Sequence, residues 1–324
     1  MMEPKDLTAK VSIKDLITVD VTTDDGPGNF TVYVADNKVA NGTVNANGTG
    51  SVSFEKIYGK NTLKVILDGA TAKGLKYETQ IDDVKFLPGS FSDLKEQIDN
   101  ATGVLDLPYD FKLNPDEADA FKNGILIEKN ITINANGFTI NGTSVDGTSA
   151  RIFDTANYVT VTINNANLVG GGVSGVNGGA IRATPYAHVI LNNVMLTDNF
   201  GASAGGAINL NSNGALTATN VTFKNNNCNN RGGAIFANSN TNLNLTNVVF
   251  DSNSAKGNGG NIFVSSNVNV IIENSTFKNF YMKADNAAGG AIYVESNSNV
   301  AISDSLFENI TVEMANSGRW YRNR

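Results

Sequence analysis

The side chains of this chain that could perform chemistry are chiefly its carboxylates. A glycoside hydrolase needs two of them at a set separation, and a polysaccharide lyase places carboxylates that hold calcium beside an Arg or Lys base. The acidic residues of the regular second half are Asp198, Asp251, Glu273, Asp285, Glu295, Asp304, Glu308 and Glu313. When the repeats described below are aligned, no two of these carboxylates share a column in adjacent repeats. We therefore predict no catalytic residues.

Three other features could bind a metal or react. His188, the single histidine, lies next to the inward-facing Val189 and is interpreted as a polar surface residue. Residues 24–29 read Asp-Asp-Gly-Pro-Gly-Asn and could bind a cation, although this composition is typical of a hairpin loop. Cys228 has no partner for a disulfide and is interpreted as a thiol near solvent in a turn. We predict neither a metal site nor a cofactor.

These residues lie on or beside an internal repeat. Gly-Gly-Ala-Ile, or once Gly-Gly-Asn-Ile, begins at residues 178, 205, 232, 259 and 289, so the period is 27 residues and finally 30. An apolar anchor follows fifteen residues after each Ile, at Leu196, Phe223, Phe250, Phe277 and Phe307. A fixed period in this range indicates a solenoid, which offers a long surface rather than a closed cleft.

The apolar residues within each repeat alternate with period two, as in Ile235 and Ala237 or Leu243 and Leu245. This alternation predicts about three short strands per repeat, each with one buried face. Stacked copies would pair in parallel, so we predict a right-handed parallel β-helix of about seven coils between residues 104 and 318. The earlier coils are degenerate, with Ile131, Ile133 and Phe138 aligned to Val161, Ile163 and Leu168.

Asparagine recurs in two columns of this alignment. One column holds Asn193, Asn220, Asn247, Asn274 and Asp304, and the other holds Asn213, Asn240, Asn267 and Asn297. Amides stacked at strand spacing can form a hydrogen-bonded ladder. Alternatively, Asn simply tolerates the left-handed backbone of turns. We expect both explanations to apply, and we expect Asn220 and Asn274 to be buried.

One outward-facing column contains the candidate binding residues. It is formed by Arg182, Asn209, Phe236, Phe263 and Tyr293. Three aromatic rings in adjacent coils would lie about 4.8 Å apart, and an exposed row of rings often marks a contact site. Arg182 could add a hydrogen-bonding group for a carboxylate. Alternatively, the rings stiffen the sheet or lie under a loop such as residues 280–288.

The segments before the repeats differ from them. Residues 11–86 contain about seven alternating strands separated by turns, which suggests a small immunoglobulin-like β-sandwich. In residues 90–101, Ser90 and Asp93 have the spacing of a capping box, so we predict a short helix that covers the first coil. The expected domains are residues 1–87 and 88–324, the second beginning with the helix.

Composition excludes several classes of partner. The formal net charge is −7 and the basic residues are scattered, which argues against binding nucleic acid. No apolar run is long enough for a membrane span. No secretion signal is visible at the start of the chain. We expect a fragment of a larger protein whose secretion and anchoring parts lie elsewhere.

The Gly-Gly-Ala-Ile signature, followed by an aromatic residue with Asn three residues on, resembles the chlamydial polymorphic outer-membrane-protein repeat. The second motif is present in the pairs Leu196/Asn199, Phe223/Asn226 and Phe250/Asn253. The last two copies depart from it, with Phe280 and Ile310 where Asn would stand. This departure leaves the resemblance incomplete at the end of the chain.

A longer resemblance covers residues 88–318. The strings SFSDLKEQIDNA, GILIEKNITINANGFTINGT and ARIFDTANYVTVTINNANL look like the adhesin-like surface proteins of methanogenic archaea. Those proteins similarly carry immunoglobulin-like modules beside β-helix repeats. The resemblance implies an extracellular, cell-surface adhesive role toward a glycan or protein of another cell, and it supplies no catalytic residues. The alternative is a β-helix polysaccharide lyase or glycoside hydrolase, because many of those enzymes share this fold.

Overall fold

The computed structural model describes most of the chain as two compact units, Met1–Gly89 and Ser90–Arg324. The described residues are 7–13, 16–54, 60–68, 76–85, 88–283 and 289–313. Four sequence-based predictions fall wholly or partly outside them, namely the domain limit at residue 87, the covering loop at residues 280–288, the carboxylate of Asp285 and the end of the coils at residue 318.

Within the described residues, the first unit consists of seven strands, as the sequence predicts. They are β1 (Thr8–Ile13), β2 (Ile17–Thr22), β3 (Gly28–Val34), β4 (Asn37–Val44), β5 (Thr49–Phe54), β6 (Lys60–Asp68) and β7 (Lys76–Lys85). Antiparallel pairing gives one sheet of order β1-β2-β5 and another of order β4-β3-β6-β7. The unit is therefore a small antiparallel β-sandwich of the immunoglobulin-like type.

The core of this sandwich follows from the alternation in its strands. Ile17, Val19 and Val21 on β2 are buried together with Phe30 and Val32 on β3. The prediction that residues 24–29 form a hairpin loop is wrong, because β2 and β3 belong to different sheets. That segment carries the chain from one sheet to the other.

The second unit begins with helix α1 (Phe91–Asn100), which confirms the predicted helix. The capping box is present: the Asp93 N–H donates to Ser90 Oγ at 3.0 Å, and the Ser90 N–H donates to Asp93 Oδ2 at 2.7 Å. Glu117 adds a second cap, since its carboxylate accepts from the Phe91 N–H at 2.7 Å. The apolar face of α1, including Leu94, is buried in the same core as the first coils. The helix therefore closes that end of the stack, as a solenoid requires.

The coils are built from short strands and one 3₁₀ turn (Pro115–Glu117). In chain order the strands are β8 (Val104–Asp106), β9 (Phe111–Lys112), β10 (Ile125–Ile127), β11 (Ile131–Asn134), β12 (Thr139–Asn141), β13 (Phe153–Thr155), β14 (Thr160–Asn164), β15 (Asn167–Val169), β16 (Ile181–Ala183), β17 (His188–Asn192), β18 (Met195–Thr197), β19 (Phe200–Gly201), β20 (Ile208–Leu210), β21 (Ala215–Thr219), β22 (Thr222–Lys224), β23 (Asn227–Cys228), β24 (Ile235–Ala237), β25 (Asn242–Thr246), β26 (Val249–Asp251), β27 (Ser254–Ala255), β28 (Ile262–Val264), β29 (Asn269–Glu273), β30 (Thr276–Lys283), β31 (Ile292–Val294), β32 (Asn299–Ser303) and β33 (Leu306–Glu313).

Equivalent strands of successive coils pair in parallel, which makes the unit a parallel β-helix. Over the described range, the sheet that contains β24 has seven strands, and the sheets that contain β25 and β26 have eight each. The register follows the repeat, with Ile208 opposite Ile235 and Ile235 opposite Ile262. One predicted alignment is wrong: Ile140, rather than Phe138, lies opposite Leu168. The reason is a turn after β11 that is longer than its counterpart after β14.

The inward residues of these sheets form one continuous aliphatic and aromatic core. Ile208, Ile235 and Ile262 are fully buried in successive coils. Phe223, Phe250 and Phe277 stack beside them with ring centroids 5.0 and 4.6 Å apart and nearly parallel planes. Each ring therefore buries its faces against its equivalents.

The two glycines of the signature have different structural roles. The first has positive φ in every described copy, as at Gly232 with φ +66°, a region that favours glycine. The second, Gly233, is crowded by backbone: a Cβ there would lie 2.1 Å from the Gly260 carbonyl oxygen and 2.5 Å from that of Ser254. Ser254 belongs to a short sheet of β19, β23 and β27. The second glycine thus allows this sheet to approach the coil.

The short sheet also changes the interpretation of Cys228. Gly201, Cys228 and Ala255 share one column, as the repeat predicts. The thiol is fully buried rather than near solvent. Burial raises the pKa of the Cys228 thiol, which favours its protonated form.

Amide ladders run along the surface and the interior. On the surface, Asn220 donates to Asn193 at 3.1 Å and Asn247 donates to Asn220 at 3.1 Å, each through Nδ2 and Oδ1. These residues also have φ near +55°, so both predicted explanations hold for them. The expectation that Asn220 and Asn274 are buried is wrong, since both are exposed.

The buried ladder is formed instead by Asn199, Asn226 and Asn253, the Asn residues of the second motif. Asn199 Nδ2 donates to Asn226 Oδ1 and Asn226 Nδ2 donates to Asn253 Oδ1, both at 2.9 Å. The backbone N–H groups of Asn199 and Asn226 donate to the same two oxygens at 3.1 and 3.0 Å. This network satisfies polar groups in the interior that would otherwise be costly to bury.

Candidate functional site

The structure contains the predicted column of candidate binding residues. Arg182, Asn209, Phe236, Phe263 and Tyr293 lie opposite one another in successive strands. The rings of Phe236 and Phe263 are stacked at 5.2 Å, and those of Phe263 and Tyr293 at 5.1 Å. The sequence therefore located the stack correctly.

The prediction that these rings form an exposed row is contradicted at its middle member. Phe263 has 0 % exposure, while Phe236 and Tyr293 are half-buried. The guanidinium of Arg231 lies 5.1 Å from the centroid of the Phe263 ring and covers part of it. Cation–π attraction accounts for this position. The stack thus contributes to the packing of its sheet, which is the alternative considered above.

Arg182 is already engaged by a carboxylate of its own chain. Its Nε donates to Asp154 Oδ1 at 2.8 Å and its Nη2 donates to Asp154 Oδ2. Arg151, only 2 % exposed, lies 3.7 Å from the same carboxylate and donates to the Asn123 carbonyl at 2.6 Å. Burial lowers the pKa of Arg151 to about 10. This cluster is an internal ion-pair network, and sequence reasoning missed it because Asp154 lies in a degenerate coil.

Asp251, one of the carboxylates of the regular coils, is engaged by its neighbours. Asp251 Oδ1 accepts from Asn279 Nδ2 at 2.9 Å, and Lys278 Nζ lies 3.9 Å from Asp251 Oδ2. Burial would raise the pKa of Asp251, but these hydrogen bonds and nearby lysines lower it overall. No group of three or more metal-binding side chains occurs among the residues that the structure describes.

A different aromatic pair is exposed. Tyr158 and Tyr186 stack in adjacent coils with centroids 4.7 Å apart and planes 10° apart. Their exposed fractions are 71 % and 50 %. The signal was present in the sequence, because these tyrosines are 28 residues apart and Tyr186 precedes Asn213 by the 27-residue period.

Both tyrosines occupy the left-handed turn that other coils fill with asparagine. Tyr158 and Tyr186 have φ of +64° and +65°, and Asn213 and Asn240 have +62° and +61°. The left-handed conformation costs an ordinary L-residue about 1–2 kcal/mol, and Asn less than most. Stacking of the two rings stabilises the fold by about 0.5–1.5 kcal/mol for the pair. Tyrosine at this position therefore costs the fold stability while both side chains stay at least half exposed.

Neutral polar groups flank the two turns in the sequence. The Thr155 and Thr184 hydroxyls lie 3.1 Å apart at the start of the two turns. Just after the second turn, His188 Nε2 lies 3.0 Å from Thr217 Oγ1. Burial lowers the pKa of His188, which favours the neutral imidazole. The prediction of a polar surface histidine is therefore correct only in part, since the ring is half-buried.

The fold and these contacts define the chain as a parallel β-helix protein preceded by a small sandwich. No family model matches the chain, and no curated protein matches it. Among solved structures, it is similar to the catalytic unit of a thermostable GH87 α-1,3-glucanase from Streptomyces thermodiastaticus strain HF3-3. That match has 12 % identity and a TM-score of 0.32 and covers 90 % of this chain and 74 % of the other. In the described part of the chain, no helix has both the length and the apolar character to cross a membrane.

Proposed function

We propose that this chain is a non-catalytic, adhesin-like binding protein of the cell surface. The observation that carries the proposal is the exposed, stacked pair Tyr158 and Tyr186, held in left-handed turns of adjacent coils. A residue choice that costs the fold stability and leaves the rings in solvent is explained by contact with something outside the chain. Tyrosine suits such contacts because it offers a large amphipathic surface with few rotatable bonds.

The coil stack supports the proposal by holding the pair rigidly. The Ala187 N–H donates to the Thr184 carbonyl at 3.1 Å, and the His188 N–H donates to the Val159 carbonyl of the preceding coil at 2.9 Å. The turns are therefore fixed on both sides before any partner arrives. Preorganisation of this kind lowers the entropy lost on binding.

The resemblance to archaeal adhesin-like proteins and to the chlamydial repeat gives the proposal its cellular setting. It suggests an extracellular location and a partner that is a glycan or protein of another cell. Asp154, in the same coil as Tyr158, is bonded to Arg182 in a fork, so it is not available there as a catalytic acid or base. The alternative assignment is a β-helix lyase or hydrolase, and an assay of polysaccharide cleavage distinguishes it from a binding protein.

Two measurements test the proposal. Fluorescently labelled full chain should bind at least one of a panel of intact microbial and animal cells saturably, and heat-unfolded chain should not. Incubation with pectin, alginate, glycosaminoglycans and α-glucans, with and without calcium, should release no unsaturated or reducing ends. Binding no better than that of unfolded chain would refute the adhesive role, and turnover above a heat-killed control would favour the enzyme.

A further inference from the structure

We infer that the Tyr158–Tyr186 pair is a binding platform for the pyranose rings of a neutral glycan. This inference rests on the proposed function and specifies the ligand of its site. Each ring has one face against the other, and the 71 % exposure of Tyr158 leaves its second face open. A pyranose presents a face of C–H groups that packs flat on such a ring.

The size of the platform favours a sugar over a protein. The two side chains together expose an area on the order of 250 Å², given the total surface of a tyrosine. A stable protein–protein interface needs about 800 Å² from each partner. One or two sugar rings fit the smaller area.

The amides beside the pair suit a neutral ligand, and the turn of the preceding coil adds no net charge because it carries Glu128 and Lys129. The next residue of the column is Asn213, an exposed amide one strand spacing from Tyr186, and Asn157 adds a second exposed amide beside Tyr158. Amides and phenol hydroxyls donate to and accept from sugar hydroxyls without requiring charge. The net charge of −7 disfavours a polyanionic glycan.

The repeat supplies a substitution that tests the site without disturbing the fold. Changing both residues, Tyr158→Asn with Tyr186→Asn, installs the side chain that the same turn carries at Asn240 and Asn267 with φ +61°. The matched control is Asn240→Ala with Asn267→Ala in the same column. Circular dichroism at the temperature of the binding measurement establishes that both variants are folded like the parent, although their melting temperatures should differ because the residue in the left-handed turn has changed.

Binding is measured by calorimetry on the full chain with cellohexaose, maltohexaose, mannohexaose and a heparin hexasaccharide. We expect the parent to bind at least one neutral oligosaccharide, the tyrosine variant to bind it about tenfold or more weakly, and the control to match the parent. Equal binding by the tyrosine variant would overturn the inference. Binding of heparin alone, binding of none, or a parent dimer that the tyrosine changes disperse would overturn it too.

The two proposals fail in different ways. A parent chain that adheres to cells but binds no neutral oligosaccharide refutes the glycan platform and leaves adhesion standing. A parent chain that adheres to no cell and binds no oligosaccharide refutes both.

Discussion

Asn253 Nδ2 donates to Asn261 Oδ1 at 3.0 Å, although the repeat predicts an acceptor at residue 280. The buried ladder that runs through Asn226 and Asn253 would continue there, but that position is Phe280. Asn261 occupies the place that Ala holds in the other signatures, and it supplies the missing oxygen. The two departures from the repeat, Gly-Gly-Asn-Ile and the loss of Asn at residue 280, therefore compensate for each other.

The first prediction concerns the middle of the buried ladder. Asn226→Ala removes the acceptor of two donors of Asn199 and leaves the Leu196 carbonyl without its amide partner. Since each unsatisfied buried group costs about 1–3 kcal/mol, we expect a loss of about 3 kcal/mol or more in urea unfolding. The control is Asn220→Ala in the exposed ladder at φ +56°, which should cost only about 1 kcal/mol, mostly as backbone strain. Equal losses would contradict the distinction between the ladders.

The second prediction concerns the end of that ladder. Asn261→Ala removes one acceptor, but Asn253 Nδ2 keeps the Phe223 carbonyl at 2.9 Å. It also removes Asn261 Nδ2, a buried atom with no hydrogen-bond partner in the described structure. We expect a change within about 1 kcal/mol. A loss as large as that of Asn226→Ala would show that Asn261 has a greater role.

The third prediction concerns the second glycine of the signature. In Gly233→Ala the new Cβ would meet the Gly260 and Ser254 carbonyls, which are backbone atoms that cannot turn away. We expect a loss of about 3 kcal/mol or more. In the control Gly137→Ala, φ is +86° but nothing lies within 4 Å of the added atom, so only about 1 kcal/mol of backbone strain is expected. Similar thermal melts for the two variants would refute this role of Gly233.

The fourth prediction separates the two neighbouring phenylalanines of the outward column. Phe263→Ala creates a cavity at a fully buried site and should cost about 3–5 kcal/mol. Phe236→Ala, at a half-buried site, should cost about 1–2 kcal/mol. The unfolding midpoints of the two variants check this order, and a reversed order would show that Phe263 is less enclosed than the structure indicates.

The fifth prediction uses the single histidine. The pKa of His188 is lower in the fold than its usual value near 6.5, so the unfolded chain takes up the proton first as pH falls. His188 therefore contributes no pH dependence above about 6.5, and stability declines below that value until the folded imidazole titrates too. His188→Gln should make the decline between about pH 7 and 5 shallower in urea titrations. The same slope in parent and variant would exclude His188 as its source.

The sequence predicted the parallel β-helix, the helix that closes it and the seven-stranded sandwich because each depends on a local periodicity. Ile208, Ile235 and Ile262 repeat at 27 residues, and a strand pairs with its equivalent wherever that spacing is kept. The predictions failed where the period changes locally. The longer turn after β11 shifted the alignment of Phe138, and the connection after β2 crosses between sheets rather than forming a hairpin.

The candidate site could be predicted only in part, because periodicity fixes the column of a side chain but not what lies over it. The stack of Phe236, Phe263 and Tyr293 was found, but the covering Arg231 comes from a turn outside the alternating pattern. Asp154 and Arg182 are 28 residues apart and meet only because their coils are adjacent. The tyrosine pair required a comparison of turn positions, where Tyr stands in place of Asn.

The left-handed turn column has a consequence for how such a surface can diversify. Tyr158, Tyr186 and Asn213 follow the same backbone path although their side chains differ. Single substitutions at these positions can change the exposed side chain of one coil at a time, at a spacing of about 4.8 Å, without altering the hydrophobic core. Natural selection or protein engineering could therefore place a row of chosen side chains along this column at a regular spacing.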